Sequence, residues 1–203
     1  MSATKIEVVN TALYRVGAES IQALTDSNDR ARVANALWSQ VQDATMRSHP
    51  WNCLKSRASL AADATAPAFG YAYRYLLPVD PYCLRIIRTG NKRDLYKLEG
   101  RYVLTDEVAP LNLLYVGRIV DVSQWDAELE NAVAIRLAAE ICVPLRGDQA
   151  SARANALWEL YANMVREARF TNGMETTRNP LIDAGLIDIR GSGSNGDTTR
   201  VGI

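Results

Sequence analysis

The stretch His49-Pro50-Trp51-Asn52-Cys53 divides the chain, because the spacing of the apolar residues changes from helical to β-like across it. On its N-terminal side, apolar residues recur at helical spacing in 5–16 and again from 26 or 27 to about 47. Pro50 prevents much further extension of the second helix, since a proline disfavours helical backbone in the residue before it. Residues 1–50 are therefore predicted to form a pair of helices.

The sequence also predicts where these two helices start and stop. Thr4 can cap the first helix, with Glu7 completing a capping box, and Gly17 can end it in the left-handed conformation. Asp26 or Ser27 can cap the second helix. The buried stripe expected for the second helix consists of Val33, Leu37, Val41 and Ala44.

Residues 51–120 are predicted to form an inserted antiparallel β region. Tyr71, Tyr73 and Tyr75 alternate with other residues, which is typical of a half-buried strand. The segment 96–103, with Glu99-Gly100 at its centre, has the pattern of a tight hairpin. Further short strands are expected at Leu84–Thr89, Leu95–Leu98, Tyr102–Thr105 and Leu111–Val116.

A second pair of helices is predicted in residues 121–170. The third helix should start near Ser123, whose hydroxyl can cap it, and should end at about Val143, before Pro144. This helix is apolar nearly all round, so we expect it at the centre of a helical bundle or against a neighbouring subunit. The residues expected to make that packing are Leu129, Val133, Ile135, Leu137 and Ile141.

The fourth helix is expected to be capped by Asp148 and to extend to about Arg169. Its inward-facing residues should be Leu157, Leu160, Tyr161, Met164 and Ala168.

From Thr171 the periodicity is lost, so 171–203 are predicted to form an extended C-terminal arm that orders on a partner or folds back on its own subunit. Five aliphatic residues of this arm form a short apolar motif around Gly185: Leu181, Ile182, Leu186, Ile187 and Ile189. The predicted fold class is α+β, a four-helix bundle formed by two helical pairs, with an inserted antiparallel β region and the arm.

The composition gives little support to an enzymatic or metal-binding function. Lysine and arginine number 23, as do aspartate and glutamate, so no net charge attracts nucleic acid or anionic lipid. The only histidine, His49, is expected to cap a helix C-terminus, and the three cysteines are expected to be reduced and buried. We therefore expect no zinc site, no cofactor and no enzyme. No signal peptide or membrane-spanning run is recognisable, which predicts folding in the cytoplasm without a membrane.

Two groups of charged residues leave alternatives open. The carboxylates of Asp126, Glu128 and Glu130 could support catalysis by a carboxylate pair, but their place at a helix N-terminus also accounts for them. A second group could contact phosphates or a tail protein, although such residues in alternating strands usually form a solvated face. This basic group consists of Arg85, Arg88, Lys92 and Arg93.

Three stretches of the chain together resemble a known family of virion proteins. They are Leu13-Tyr14-Arg15-Val16-Gly17-Ala18-Glu19-Ser20, Trp51-Asn52 and Leu76-Leu77-Pro78-Val79-Asp80. The chain is similar over residues 5–169 to the tail tubular protein A family, the head-to-tail adaptors of short-tailed phages. That family shows a leucine-x-x-isoleucine-glycine-glutamate helix end, a Gly-Trp-x-Phe-Asn junction and a leucine-proline-x-aspartate strand. This sequence departs from it at Pro50, where the family has glycine, and at Cys53-Leu54, near the family's Phe-Asn.

The resemblance implies a structural protein of the virion neck, made in the host cytoplasm. It implies a ring of copies, dodecameric in relatives, between the portal protein and the downstream tail (nozzle) protein. The ring would form part of the DNA channel, with transient non-specific contact to DNA in its lumen, and the arm would reach the portal. Two other functions stay open: a tail-associated cell-wall hydrolase using Glu128 or Glu130, and a free-standing DNA-binding module using the basic group.

Overall fold

The computed structural model describes residues 4–90 and 95–174. Within these residues it contains four α-helices and two three-stranded antiparallel sheets, which confirms a mixed fold of helices and antiparallel strands. No helix in these two segments is both long enough and apolar enough to cross a membrane. The helices are α1 (Lys5–Arg15), α2 (Asp29–Ser48), α3 (Ala127–Arg146) and α4 (Ser151–Met174).

The strands lie between α2 and α3 in the sequence and form two separate sheets. They are β1 (Lys55–Leu60), β2 (Tyr73–Leu76), β3 (Cys83–Thr89), β4 (Lys97–Glu99), β5 (Tyr102–Thr105) and β6 (Leu111–Gly117). The first sheet has the order β1-β6-β3 and the second the order β2-β5-β4. The hairpin predicted in 96–103 is confirmed, because β4 pairs with β5 around Gly100, whose φ is 58°. The sequence reasoning missed β1, and Tyr71 lies outside β2.

The start of α1 follows the prediction. The Thr4 hydroxyl accepts a hydrogen bond from the Glu7 amide at 3.3 Å, and the Thr4 amide donates to the Glu7 carboxylate at 2.6 Å. Gly17, just beyond the helix, has a φ of 70°, in the left-handed region that an ordinary side chain disfavours. These local signals could be read from sequence because capping groups lie within a few residues of the helix end.

The start and the buried face of α2 differ from the prediction. Asn28 caps the helix by accepting from the Ala31 amide at 2.8 Å, whereas Asp26 accepts from the connector amides of Gln22 and Ala23. Of the predicted stripe only Val41 is fully buried, and Val33, Leu37 and Ala44 are half-buried. The buried residues are Ala31, Ala34, Trp38, Val41, Gln42, Thr45 and Met46. The face is rotated because Trp38 stacks on Trp125, their ring centroids 6.2 Å apart, a contact made only in tertiary structure.

Helix α3 contacts each of the other three helices and forms the centre of the larger core. The residues predicted to make its packing are each at most 2% exposed within this one chain: Leu129, Val133, Ile135, Leu137 and Ile141. Side chains so completely covered by their own chain offer no surface to a second copy. Of the two placements that the sequence left open, these residues therefore occupy the centre of the chain's own core, and their assignment to subunit packing is wrong.

The ends of α3 and α4 correct the predicted boundaries. Asp126, not Ser123, caps α3, accepting from the Leu129 amide at 2.7 Å, and α3 continues through Pro144 to Arg146. Asp148 begins a 3₁₀ turn, so α4 starts at Ser151. Helix α4 runs to Met174, beyond the predicted end at 169, so the first four residues of the predicted arm are helical. The expected inward-facing Leu160 is 43% exposed. The arm residues Leu181, Ile182, Leu186, Ile187 and Ile189 lie outside the described residues.

A second, smaller core lies between the two sheets. Its members come from both sheets and from the segment that follows β2: Tyr75, Leu77, Cys83, Ile86, Val103, Leu111, Leu113 and Tyr115. Leu84 and Val116 belong instead to the helical core, so the first sheet contributes to both cores. This packing leaves part of the surface of the first sheet exposed, and the cleft described next lies there.

Candidate functional site

A cleft of about 340 Å³ lies on the first sheet, where β1, β6 and β3 run side by side. Its polar lining includes two arginines, a serine and an asparagine, all of them exposed: Arg57, Ser59, Arg88 and Asn112. We call it the Arg57–Arg88 cleft. Its volume is within the range of sites that hold small ligands or single groups of a larger one.

Strand register places the two arginines on either side of one residue. Leu114 of β6 is the register partner of Arg57 on β1 and also of Arg88 on β3. Ser59 pairs with Asn112 in the next row, about 7 Å along the strands. Adjacent strands are about 4.8 Å apart, so the backbones of β1 and β3 are separated by about 10 Å, which long arginine side chains can bridge. The cleft therefore presents two cations and two neutral hydrogen-bonding groups together.

The two arginines have no partner in the part of the chain that the structure describes. Among the described residues, neither the Arg57 nor the Arg88 guanidinium forms an ion pair or a hydrogen bond. The Glu107 carboxylate lies at the Gly90 end of the cleft, where a Cβ atom on Gly90 would be 2.2 Å from Oε1. Gly90 directly follows β3, the strand that carries Arg88, and its amide donates to the Asn112 carbonyl at 2.7 Å. The Glu107 carboxylate therefore lies on the Arg88 side of the cleft, and Arg57 on β1 lies across β6 from it.

Other arginines of the β region are committed to the fold. Arg101 lies over the Tyr82 ring, 3.9 Å from its centroid, and donates to three backbone carbonyl groups, including that of Pro78 at 2.6 Å. Arg118 lies over the same ring at 4.7 Å and pairs with Asp43. Arg47 donates to the Leu84 carbonyl. These contacts join α2, β3 and the β4–β5 hairpin, so these three arginines have a structural role.

The predicted basic group is only partly supported by this geometry. Arg88 lines the Arg57–Arg88 cleft, whereas Arg85 lines a separate cleft and donates to the Arg47 carbonyl at 3.4 Å. Lys92 and Arg93 lie outside the described residues. Sequence reasoning missed Arg57, because β1 was not recognised as a strand. Its alternation of Lys55, Arg57 and Ser59 with Ser56, Ala58 and Leu60 is the signal that could have revealed it.

The His49-to-Cys53 junction is a buried structural site. Trp51 is fully buried, and its indole N–H donates to the Thr45 carbonyl at 3.1 Å, so it fills the boundary between helices and strands. His49 is 4% exposed, and its ring meets that of Trp51 edge-on at 5.0 Å. It occupies the C-cap position predicted for it.

Hydrogen bonds tie this junction to the far end of α4. The Asn172 side-chain amide donates to Nε2 of His49 at 2.7 Å, which places the ring proton on Nδ1. The Tyr161 hydroxyl donates to the Ser48 hydroxyl at 3.1 Å, and Ser48 in turn donates to the Thr45 carbonyl. Burial, followed by the nearby cations, lowers the pKa of His49 to about 4, so the imidazole is neutral near pH 7. Helix α4 is thus held against the end of α2 by neutral polar groups.

The three acidic residues lie at the N-terminal end of α3. Asp126 is engaged as the cap of α3, and Glu128 is half-buried. Glu130 is half-buried, and its pKa is raised by burial and then by the neighbouring charges of Asp126 and Glu7. Each of the three carboxylates is accounted for by its place at the start of a helix.

All three cysteines are free thiols, and burial raises the pKa of Cys53 to about 12 and that of Cys83 above its usual range. In residues 4–90 and 95–174, no group of three histidine, cysteine or acidic side chains is placed to hold a metal ion. No protein-family model matches the chain, and no curated protein matches it.

Proposed function

We propose that this chain is a structural virion protein, a head-to-tail adaptor that forms a ring between the portal and the tail. The observation that carries the proposal is the order of its elements. Two small antiparallel sheets are inserted between one pair of helices and a second pair, and α3 contacts all the other helices. The finer description, a four-helix bundle with a β insertion and a C-terminal arm, is the architecture that the resemblance to tail tubular protein A implies.

The ring contact requires a surface other than α3, whose apolar residues are buried in the chain itself. Helix α4 offers one. Phe170 and Met174 are both 72% exposed and lie one turn apart, and Leu160, 43% exposed, lies about four turns before Met174 on the same side. We assign this α4 stripe to contact with a neighbouring copy in the ring, because an apolar surface at a helix face is stabilised when a partner covers it.

In this role the protein acts mechanically. The ring joins the portal above to the nozzle protein below, and DNA passes through its lumen with weak, non-specific contacts. Residues 175–203 act as the portal-binding arm through the five aliphatic residues around Gly185, and the protein is located in the neck of the virion.

The test is the mass of the complex with the cognate portal, measured by light scattering after size exclusion. A portal ring that gains many copies of this chain supports the proposal and counts the subunits. Deletion of 175–203 should leave the domain folded and abolish docking. The matched control is deletion of 191–203, which keeps the five aliphatic residues and should dock normally. No mass gain by the folded full-length chain would refute the adaptor function, and normal docking after deletion of 175–203 would refute the arm.

A further inference from the structure

We propose that the Arg57–Arg88 cleft is a binding site for the phosphate backbone of DNA. The inference deepens the proposed function, on which the choice of DNA as the anion rests, and it assigns that contact to particular side chains. Arg57 and Arg88 flank Leu114 in register, are exposed, and have no partner among the described residues. Both guanidiniums line one cleft and neither has a partner in residues 4–90 and 95–174, so a single external anion can contact both.

The neutral groups of the cleft fit phosphate oxygens. Ser59 and Asn112 are exposed and paired in register, one row from the arginines. A serine hydroxyl and an asparagine amide both donate hydrogen bonds, and phosphate contacts in protein–DNA interfaces draw on these side chains as well as arginine. The arginine fork matches the geometry of phosphate and can contact it with two parallel hydrogen bonds.

The surface favours DNA over an acidic protein segment. A stable protein–protein contact needs buried aromatic or aliphatic anchors near its centre. Between the two arginines the cleft presents one large aliphatic side chain, that of Leu114, and this side chain is half-buried. Contact with a phosphate backbone needs positive charge and donors and no apolar anchor. It also reads no base sequence, which suits DNA that must pass along the protein.

The test is DNA binding by the full-length chain, measured by fluorescence anisotropy of a labelled random-sequence duplex over a series of salt concentrations. Loss of two phosphate contacts in R57Q/R88Q should reduce the slope of log K against log salt by about 1.8. The control R32Q/R166Q removes two exposed arginines from α2 and α4 and should keep the wild-type slope. Circular dichroism and portal docking of both variants establish that they are folded.

Each outcome decides the inference. A reduced slope in R57Q/R88Q alone supports the cleft. An unchanged slope, or no binding by the wild-type chain at low salt, overturns it while leaving portal docking, and thus the adaptor function, untouched. Binding of polyglutamate in place of DNA, lost in the same variant, would overturn it in favour of an acidic protein partner. If the chain binds DNA through these arginines but never docks on the portal, the assignment of the cleft to DNA binding is supported and the adaptor function is refuted.

Discussion

Acid should destabilise this protein through its single histidine. His49 is buried, its Nε2 accepts a hydrogen bond from Asn172, and on Nδ1 it has no partner among the described residues. Protonation would remove the acceptor for Asn172 and place a charge in an apolar site. Burial is the largest cause of the lowered pKa, and the cations of Arg169, Lys55 and Arg85 act in the same direction against the opposing carboxylate of Asp126.

The sign and the size of the effect follow from this pKa. The pKa of His49 is about 4 in the folded chain and 6.5 without the fold, so the unfolded state binds more protons between these values. The histidine's contribution to stability is therefore complete above pH 6.5 and is lost as the pH falls towards 4. At about 1.36 kcal/mol for each pKa unit, this contribution is about 3 kcal/mol at most. That is a large share of the total stability of a typical domain.

Urea unfolding of the wild-type chain and of H49Q at several pH values measures this contribution. Glutamine does not titrate, and its amide oxygen can still accept from Asn172. The carboxylates titrate in both proteins, so the pH dependence of the difference in unfolding free energy between the wild type and H49Q measures the imidazole alone. We expect the wild type to lose up to about 3 kcal/mol relative to H49Q on acidification. The proton resonances of the only histidine give its folded pKa directly. A folded pKa near 6.5, or a difference that does not vary with pH, would refute the reasoning.

Two further predictions concern packing and capping. L137A should lower the free energy of unfolding by about 2–5 kcal/mol, because Leu137 is fully buried and its truncation leaves a cavity. The control L160A, at an exposed position of α4, should lower it by less than about 1 kcal/mol. Equal losses for the two variants in urea unfolding would contradict the placement of α3 at the core. T4A should cost about 1 kcal/mol, because it removes the acceptor for the Glu7 amide. The control S39A alters an exposed serine in the middle of α2 and should not lower the thermal midpoint, since alanine favours a helix more than serine does. A T4A protein as stable as S39A would show that the cap contributes nothing.

Much of the local structure could be predicted from sequence. The capping box of Thr4 and Glu7, the hairpin around Gly100 and the break at Pro50 depend on residues that lie within a few positions of one another, so short-range chemistry decides them. The apolar character of α3 likewise required burial, since nearly every side of that helix carries aliphatic residues. Sequence could not say whether its own chain or a second copy supplies the cover.

Tertiary contacts decided the rest. Trp38 rather than Leu37 turns inward because Trp125, far along the chain, provides a stacking surface. Helix α4 extends beyond its predicted end because the Asn172 side chain forms a hydrogen bond with His49, which is distant in sequence. The Arg57–Arg88 cleft exists because β6 pairs with both β1 and β3, which brings two arginines to the same residue. Spacing along a chain fixes which side chains share a face, whereas only the packed fold determines which faces meet and which charges are left without a partner.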